Sequence, residues 1–166
     1  MATWNDVATI APDLVERARA LFGSTTNSVL ATIRADGTPR VSGIDPWFTA
    51  GEMYLGFMPG SRKLADLQRD PRLAVHGIPW ESRKVRDDAA DPGAGDAKLT
   101  GTAVTLDPAS LADVKAAFEA ERGFEMPEGD MFRVDLASLV LISVEDEELV
   151  VDRWTEAGGR HTTRRK

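Results

Sequence analysis

The chain has 166 residues, the size of one ordinary domain, with 42% apolar and 28% charged side chains, the balance of a folded globular protein with its own core. It carries no cysteine and only two histidines, His76 and His161, which excludes disulfides, zinc ribbons, iron–sulfur clusters and a thiol nucleophile and argues against a His-rich metal site. The net charge is −7, and all 27 carboxylates lie in residues 1–159 beside 16 of the 20 lysines and arginines; this acidic body speaks against broad nucleic-acid binding.

No run of about 18 apolar residues occurs. The first residues, Met-Ala-Thr-Trp-Asn-Asp, have neither the basic nor the apolar stretch of a secretory leader. A cytoplasmic protein without a membrane segment is expected. The basic end, Arg160, Arg164, Arg165 and Lys166, reads as a solvated, partly disordered tail over residues 157–166.

A helix is expected over residues 12–22, opened by Pro12 and Asp13, with Leu14, Val15, Ala18, Leu21 and Phe22 on one face. The period then changes to two. Strands are expected over 28–34, 39–48 and 53–58, joined by an Asp36-Gly37 turn and an Ala50-Gly51-Glu52 turn. A short helix over 62–69 ends at Asp70-Pro71, and a fourth strand covers 72–80. Residues 81–97, rich in Ala, Gly and Asp, read as a long flexible loop inside one domain.

A fifth strand over 98–106 leads to a helix over 108–122, capped by Asp107-Pro108 and carrying Leu111, Val114 and Phe118 at helical spacing. Residues 132–144 form a strand with a break near 135–138, Glu145 to Glu148 a turn, and 149–154 the last strand. Strands joined by short turns favour antiparallel pairing. The chain therefore reads as mainly β with peripheral helices: a single six- to seven-stranded antiparallel barrel domain over residues 1–166.

One segment is oddly charged for its place. Ser61 stands at the N-cap of the helix over 62–69, followed at once by Arg62 and Lys63. A helix N-terminus already carries about half a positive charge, so acidic residues are favoured there. Two readings stay open. In one, an anion docks where backbone N–H groups, a hydroxyl and two cations converge. In the other, both cations simply point to solvent.

The stretch from Ser28 to Gly77 resembles the pyridoxamine 5'-phosphate oxidase-like family, the FMN-binding split barrels. The resemblance is carried by Val29-Leu30-Ala31-Thr32, by Asp36-Gly37-Thr38-Pro39-Arg40-Val41-Ser42 and by Met53-Tyr54-Leu55-Gly56-Phe57. It is carried most of all by Gly60-Ser61-Arg62-Lys63 followed by Leu67 and Asp70-Pro71-Arg72. It implies that Ser61, Arg62 and Lys63 grip a cofactor phosphate and that Gly56 and Phe57 lie against the cofactor. It further implies that Val41, Ser42, Gly43 and Ile44 present backbone to the flavin ring, and that Trp154 approaches the flavin from a partner subunit.

The implied protein is a homodimer with FMN at its interface that transfers hydride between reduced flavin and a small molecule. The deazaflavin coenzyme F-420 is the alternative cofactor, with Arg40, Arg83, Lys84 and Arg86 as candidates for its acidic tail. A non-enzymatic flavin or haem binder, with His76 as a haem ligand, is the third reading. The chain departs from true pyridoxamine phosphate oxidases. The family's flavin-contacting lysine on the second strand is replaced by Asp45 or Pro46, its glutamine before the fifth strand falls near Asp96, and the C-terminal arginine-histidine motif is missing. Arg164 follows Trp154 at a family-like spacing, but without that motif around it. Asp87, Asp88, Asp91 and Asp96 do not match an EF-hand, and Gly93-x-Gly95 lacks the strand and helix of a dinucleotide loop.

Overall fold

The computed structural model describes residues 1–78, 95–126 and 128–166. Four helices, α1 (Trp4–Ile10), α2 (Pro12–Gly23), α3 (Arg62–Arg69) and α4 (Pro108–Arg122), accompany nine strands. The strands are β1 (Ser28–Ile33), β2 (Pro39–Ile44), β3 (Pro46–Thr49), β4 (Glu52–Phe57), β5 (Arg72–Gly77), β6 (Asp96–Thr105), β7 (Asp130–Glu145), β8 (Glu148–Thr155) and β9 (Gly159–Arg165). All belong to one antiparallel sheet, ordered β2-β1-β5-β6-β7-β4-β3, with β8 and β9 added beyond β7. The expected class, mainly β with peripheral helices, is what the chain adopts. The strand count is nine, not six or seven. No ladder among the described residues joins β2 to β3, the two ends of the path.

The expected second strand over 39–48 is two strands. Asp45 separates β2, which pairs with β1, from β3, which pairs with β4. Pro46 cannot donate to a ladder, so the chain changes neighbours at that point. The fourth strand ends at Gly77 rather than at residue 80. Trp80, Arg83, Lys84, Arg86, Asp87, Asp88 and Asp91, and most of the expected 81–97 loop, lie outside the described residues. The last of that span, Asp96 and Ala97, belongs to β6.

The irregularity expected near 135–138 is a bulge inside one continuous strand. Thr100 faces Ser138 and Gly101 faces Leu136, so Ala137 is the extra residue. Gly101 is required there: a Cβ at this position would lie 2.0 Å from the Asp135 carbonyl oxygen. β7 and β8 are joined by a two-residue turn in which Asp146 and Glu147 both have positive φ, the geometry that matches the twist of a hairpin.

Helix α1 has a capping box that sequence reading did not use. Thr3 accepts from the Asp6 N–H at 3.0 Å, and Asp6 accepts from the Thr3 N–H at 2.9 Å. Buried Glu52 accepts from the N–H groups of Trp4 and Asn5, so a carboxylate on β4 holds the helix start. Trp4 and Phe22, both fully buried, meet edge to face at 6.2 Å, and α1 and α2 close one continuous core with Leu30, Leu55, Leu99, Leu136 and Leu139. No described helix is long and apolar enough to cross a membrane.

The basic end is not disordered. Gly159–Arg165 pairs with β8 along its whole length, though all its residues are exposed. Arg160 grips Asp13, at the start of α2, with both terminal nitrogens at 2.6 and 2.7 Å, and also reaches Asp152 at 2.7 Å. The guanidinium correspondingly holds the Asp13 carboxyl below its usual range. Because Asp13 is largely exposed, Arg160→Ala should cost only about 1 kcal/mol. It should nevertheless abolish amide-exchange protection along β9 while sparing β7, which exchange with mass-spectrometric readout would check.

Candidate functional site

The breaks at Asp45 and at Pro59 set the geometry of a cleft. One wall is formed by the end of β2, the start of β3 and the end of β4; a second is the start of α3; the third is the C-terminal half of α4 with residues 126 and 128–131. The enclosed volume is about 380 Å³, within the range of small-molecule sites. Of the residues singled out from sequence, Gly43, Ile44, Gly56, Phe57, Ser61 and Lys63 line it.

Lys63 is half-buried. Its ammonium donates to the Gly43 carbonyl oxygen at 2.7 Å and sits 5.7 Å from the Phe57 ring centroid. Burial pushes its pKa down. Ser61 is the N-cap residue of α3, but its side chain makes no capping hydrogen bond. Its hydroxyl is shielded from solvent and has no hydrogen-bond partner among the described residues. A buried hydroxyl without a partner costs free energy, and here it lies beside a desolvated cation at a helix start. A hydroxyl and an ammonium both donate to anionic oxygen, so in their chemistry Ser61 and Lys63 fit a phosphate group.

Four expected residues lie elsewhere. Val41 is 70% exposed and Ser42 stands beside it; both fall short of the cleft, one strand repeat before Gly43 and Ile44. Arg62 is exposed and does not line the cleft, because successive helical residues point about 100° apart. Trp154 is 3% exposed and belongs to the main core of its own chain, so its ring is not presented to a partner's site. Arg164 bonds Glu145 at 2.9 Å. His76 lies on the sheet face between Val29 of β1 and Lys98 of β6, away from the cleft.

The third wall was not foreseen. Trp47, Tyr54 and Val114 form a second small core with Phe118, Met126 and Met131 packed on it. Trp47 meets Phe118 edge to face at 5.1 Å, and its indole N–H donates to Glu121 at 3.1 Å. Thr49 donates to the other oxygen of the same carboxylate, which clamps α4 onto β3. Trp47, Tyr54, Phe118, Arg122, Met126 and Met131 all line the cleft. The available signal was the helical spacing of Val114, Phe118 and Arg122, three positions on one face whose last member is charged. At Gly129 a Cβ would lie 2.1 Å from the Phe57 carbonyl oxygen, so the chain at Gly129 packs backbone to backbone on β4.

Arg40 and Asp66 fasten α3 to the sheet. Asp66, 3% exposed, accepts from Arg40 Nε at 2.6 Å, from Thr32 Oγ1 at 2.9 Å and from Arg69 at 3.4 Å. These donors, Arg40 first, hold its carboxyl below the usual range. The helix that carries Ser61 and Lys63 is thereby tied to β1 and β2.

The family profile for pyridoxamine 5'-phosphate oxidase matches residues 14–145, and the chain belongs to that family. No curated protein matches the sequence at a significant level. Among solved structures, the chain is similar to Campylobacter jejuni ChuZ, with a TM-score of 0.65, 14% identity and coverage of 93% of this chain and 62% of that one. It is also similar to a haem-binding protein from Mycobacterium smegmatis, with a TM-score of 0.60, 18% identity and coverage of 91% and 57%. A third is PhzG from Burkholderia lata, solved with tetrahydrophenazine-1-carboxylic acid, with a TM-score of 0.58, 16% identity and coverage of 95% and 88%. A protein of unknown function from Agrobacterium tumefaciens matches with a TM-score of 0.59 and 15% identity, over 76% of this chain and 54% of that one. The chain thus spans little more than half the length of the Agrobacterium and Mycobacterium proteins. At these identities the likeness is one of fold.

Proposed function

We propose that the chain binds FMN in the cleft between β2, β4, α3 and α4 and acts as a flavin-dependent oxidoreductase on a small molecule. The observation that carries this reading is the unpartnered buried hydroxyl of Ser61 beside the half-buried Lys63 ammonium. A flavin bound there would supply hydride transfer. The chain's own contribution is binding and orientation. Ser61 and Lys63 take the phosphate, exposed Arg62 adds positive field at the mouth, and Gly43 and Ile44 border the ring. The side chains of Trp47, Tyr54 and Phe57 keep water from the cleft.

Titration of the purified protein with FMN, followed by absorbance and flavin fluorescence, tests the reading. Wild-type protein should bind stoichiometrically. The Arg62→Ala/Lys63→Ala double variant should bind at least 10-fold more weakly, the scale of one charge-assisted phosphate contact from Lys63 with the field of Arg62 added. Riboflavin should be far less sensitive to the same change. An unchanged FMN affinity would sink the phosphate assignment. Parallel titrations with F-420 and haem separate the alternatives: selective F-420 binding replaces FMN with the deazaflavin, and a Soret band on a protein that ignores both flavins replaces flavin with haem.

We also propose a homodimer. The sheet face around Val29, Ala31, Ala74, His76, Lys98 and Val140 is largely apolar, and among the described residues Val29 stands 37% exposed on it. A second copy is the occupant that continues this surface. Sedimentation equilibrium should give twice the chain mass at micromolar concentration; a monomer at that concentration would refute it.

A further inference from the structure

The described arginines point to a second polar anchor in the cleft, on the wall formed by α4 rather than the α3 wall that carries Lys63. Five are half-buried: Arg17, Arg19, Arg40, Arg122 and Arg133. Four of them hold an oxygen. Arg17 pairs with Glu145, Arg19 donates to Asn5 and to the Gly51 carbonyl, Arg40 donates to Asp66, and Arg133 donates to Asp135. Among the described residues Arg122 has no hydrogen bond or ion pair. A guanidinium carries five N–H donors and cannot shed its proton, so Arg122 presents the cleft with a permanent cation whose donors no described side chain or carbonyl takes up.

Arg122 is also placed where a ligand would meet it. It lines the cleft in the last turn of α4, one turn beyond Phe118 and on the same face. Its neighbour Glu121 is already committed to Trp47 and Thr49. The exposed carboxylates of Glu128 and Asp130 line the same cleft but make no ion pair with it. Around it stand the rings of Trp47, Tyr54 and Phe118, which favour a flat, conjugated body.

We propose that Arg122 is a substrate-binding residue that receives a carboxylate, and that the small molecule taken by this cleft is a planar aromatic or conjugated monocarboxylate. The proposal rests on reading the cleft as a small-molecule site. It assigns the two cationic features different ligands: Ser61 and Lys63 take the cofactor phosphate, and Arg122 takes the substrate carboxylate in the bidentate geometry a guanidinium offers. The site's polar group also discriminates, because a neutral analogue would leave Arg122 unpaired.

The test compares 2-naphthoate with its neutral isostere 2-naphthamide by calorimetry at pH 7, on the protein alone and on the protein saturated with FMN. Wild-type protein should bind the acid at least 10-fold more tightly than the amide in one of the two forms. Arg122→Gln should bring the two affinities within a factor of two while leaving the amide unchanged, and Arg122→Lys should keep part of the preference. Arg34→Gln, which alters an exposed arginine outside the cleft lining, should leave the preference intact. Far-UV circular dichroism and urea midpoints verify that each variant is folded.

Equal affinity for acid and amide in wild-type protein overturns the proposal. So does a preference that survives Arg122→Gln, or no measurable binding of the acid at millimolar concentration in either form. The FMN titration separates this inference from the one beneath it. Acid preference through Arg122 without FMN binding removes the flavin and keeps the carboxylate anchor, whereas FMN binding without acid preference removes the anchor alone.

Discussion

Asp66→Ala should destabilise the protein by about 3 kcal/mol, the scale seen when one partner of a buried ion pair is removed. The carboxylate is nearly inaccessible and receives hydrogen bonds from Arg40, Thr32 and Arg69. Without it, Arg40 keeps its charge in a largely buried place and the Thr32 hydroxyl loses its acceptor. Urea denaturation over a pH series checks both the size and the cause. The folded-state pKa of Asp66 is depressed, so its contribution is complete above the ordinary carboxylate pKa of about 3.9. It is lost as pH falls through the lower folded value. The difference between wild type and variant should therefore be flat from pH 5 to 8 and shrink below about pH 4. A difference that stays constant down to pH 3 would assign the effect to packing. Because Asp66 anchors the helix bearing Ser61 and Lys63, the variant should also lose affinity for any phosphate held there.

Gly101→Ala should cost about 3 kcal/mol or more, although it adds one methyl group. That methyl would stand 2.0 Å from a backbone oxygen, Asp135 O, and the oxygen cannot retreat because the 135–138 stretch is fixed by the bulge against β6. Something in the ladder must shift, and overpacking against backbone lies at the severe end of single substitutions. Gly77→Ala is the matched control. It too sits in a central strand, but its nearest obstacle is the Ala97 oxygen at 3.4 Å, so its cost should stay below about 1 kcal/mol. Chemical denaturation of both variants decides the matter, and similar losses at the two positions would show that strand glycines, not this approach, are responsible.

Much of this architecture was legible from residue order. Period-two alternation located β1, β2, β4 and β6, and Asp107-Pro108 placed the start of α4 where its carboxylate accepts from Ala109 and Ser110. The Gly60 to Lys63 segment pointed to the cleft because its charges sit against the helix dipole. What stayed hidden has physical reasons. Period-two alternation over 39–48 does not reveal a change of pairing partner, and only the lack of an N–H at Pro46 hinted at one. Strand β9 has every residue exposed, so it has no hydrophobic pattern to read. It is held by backbone pairing to β8 and by Arg160 reaching Asp13, 147 positions away. Arg122 escaped notice because its meaning is relational. An arginine ending a helix is ordinary, and only the partners of the other half-buried arginines set it apart. Trp154 shows the reverse hazard. A residue matched by family spacing belongs here to the core.

Strand β7 has a consequence for how the chain reaches this state. It pairs with β6 along one edge, and with β4 and then β8 along the other, so it is the hub on which both halves of the sheet close. The strands it joins begin as early as residue 52, yet β7 ends at Glu145. During synthesis, β4 and β6 must wait with open hydrogen-bonding edges while α4 and the following segment are made. At about 5–20 residues per second, those edges stay unpaired for several seconds, a long interval beside the microseconds in which a hairpin forms. A ribosome stalled before residue 130 would leave both edges without the strand that pairs with them.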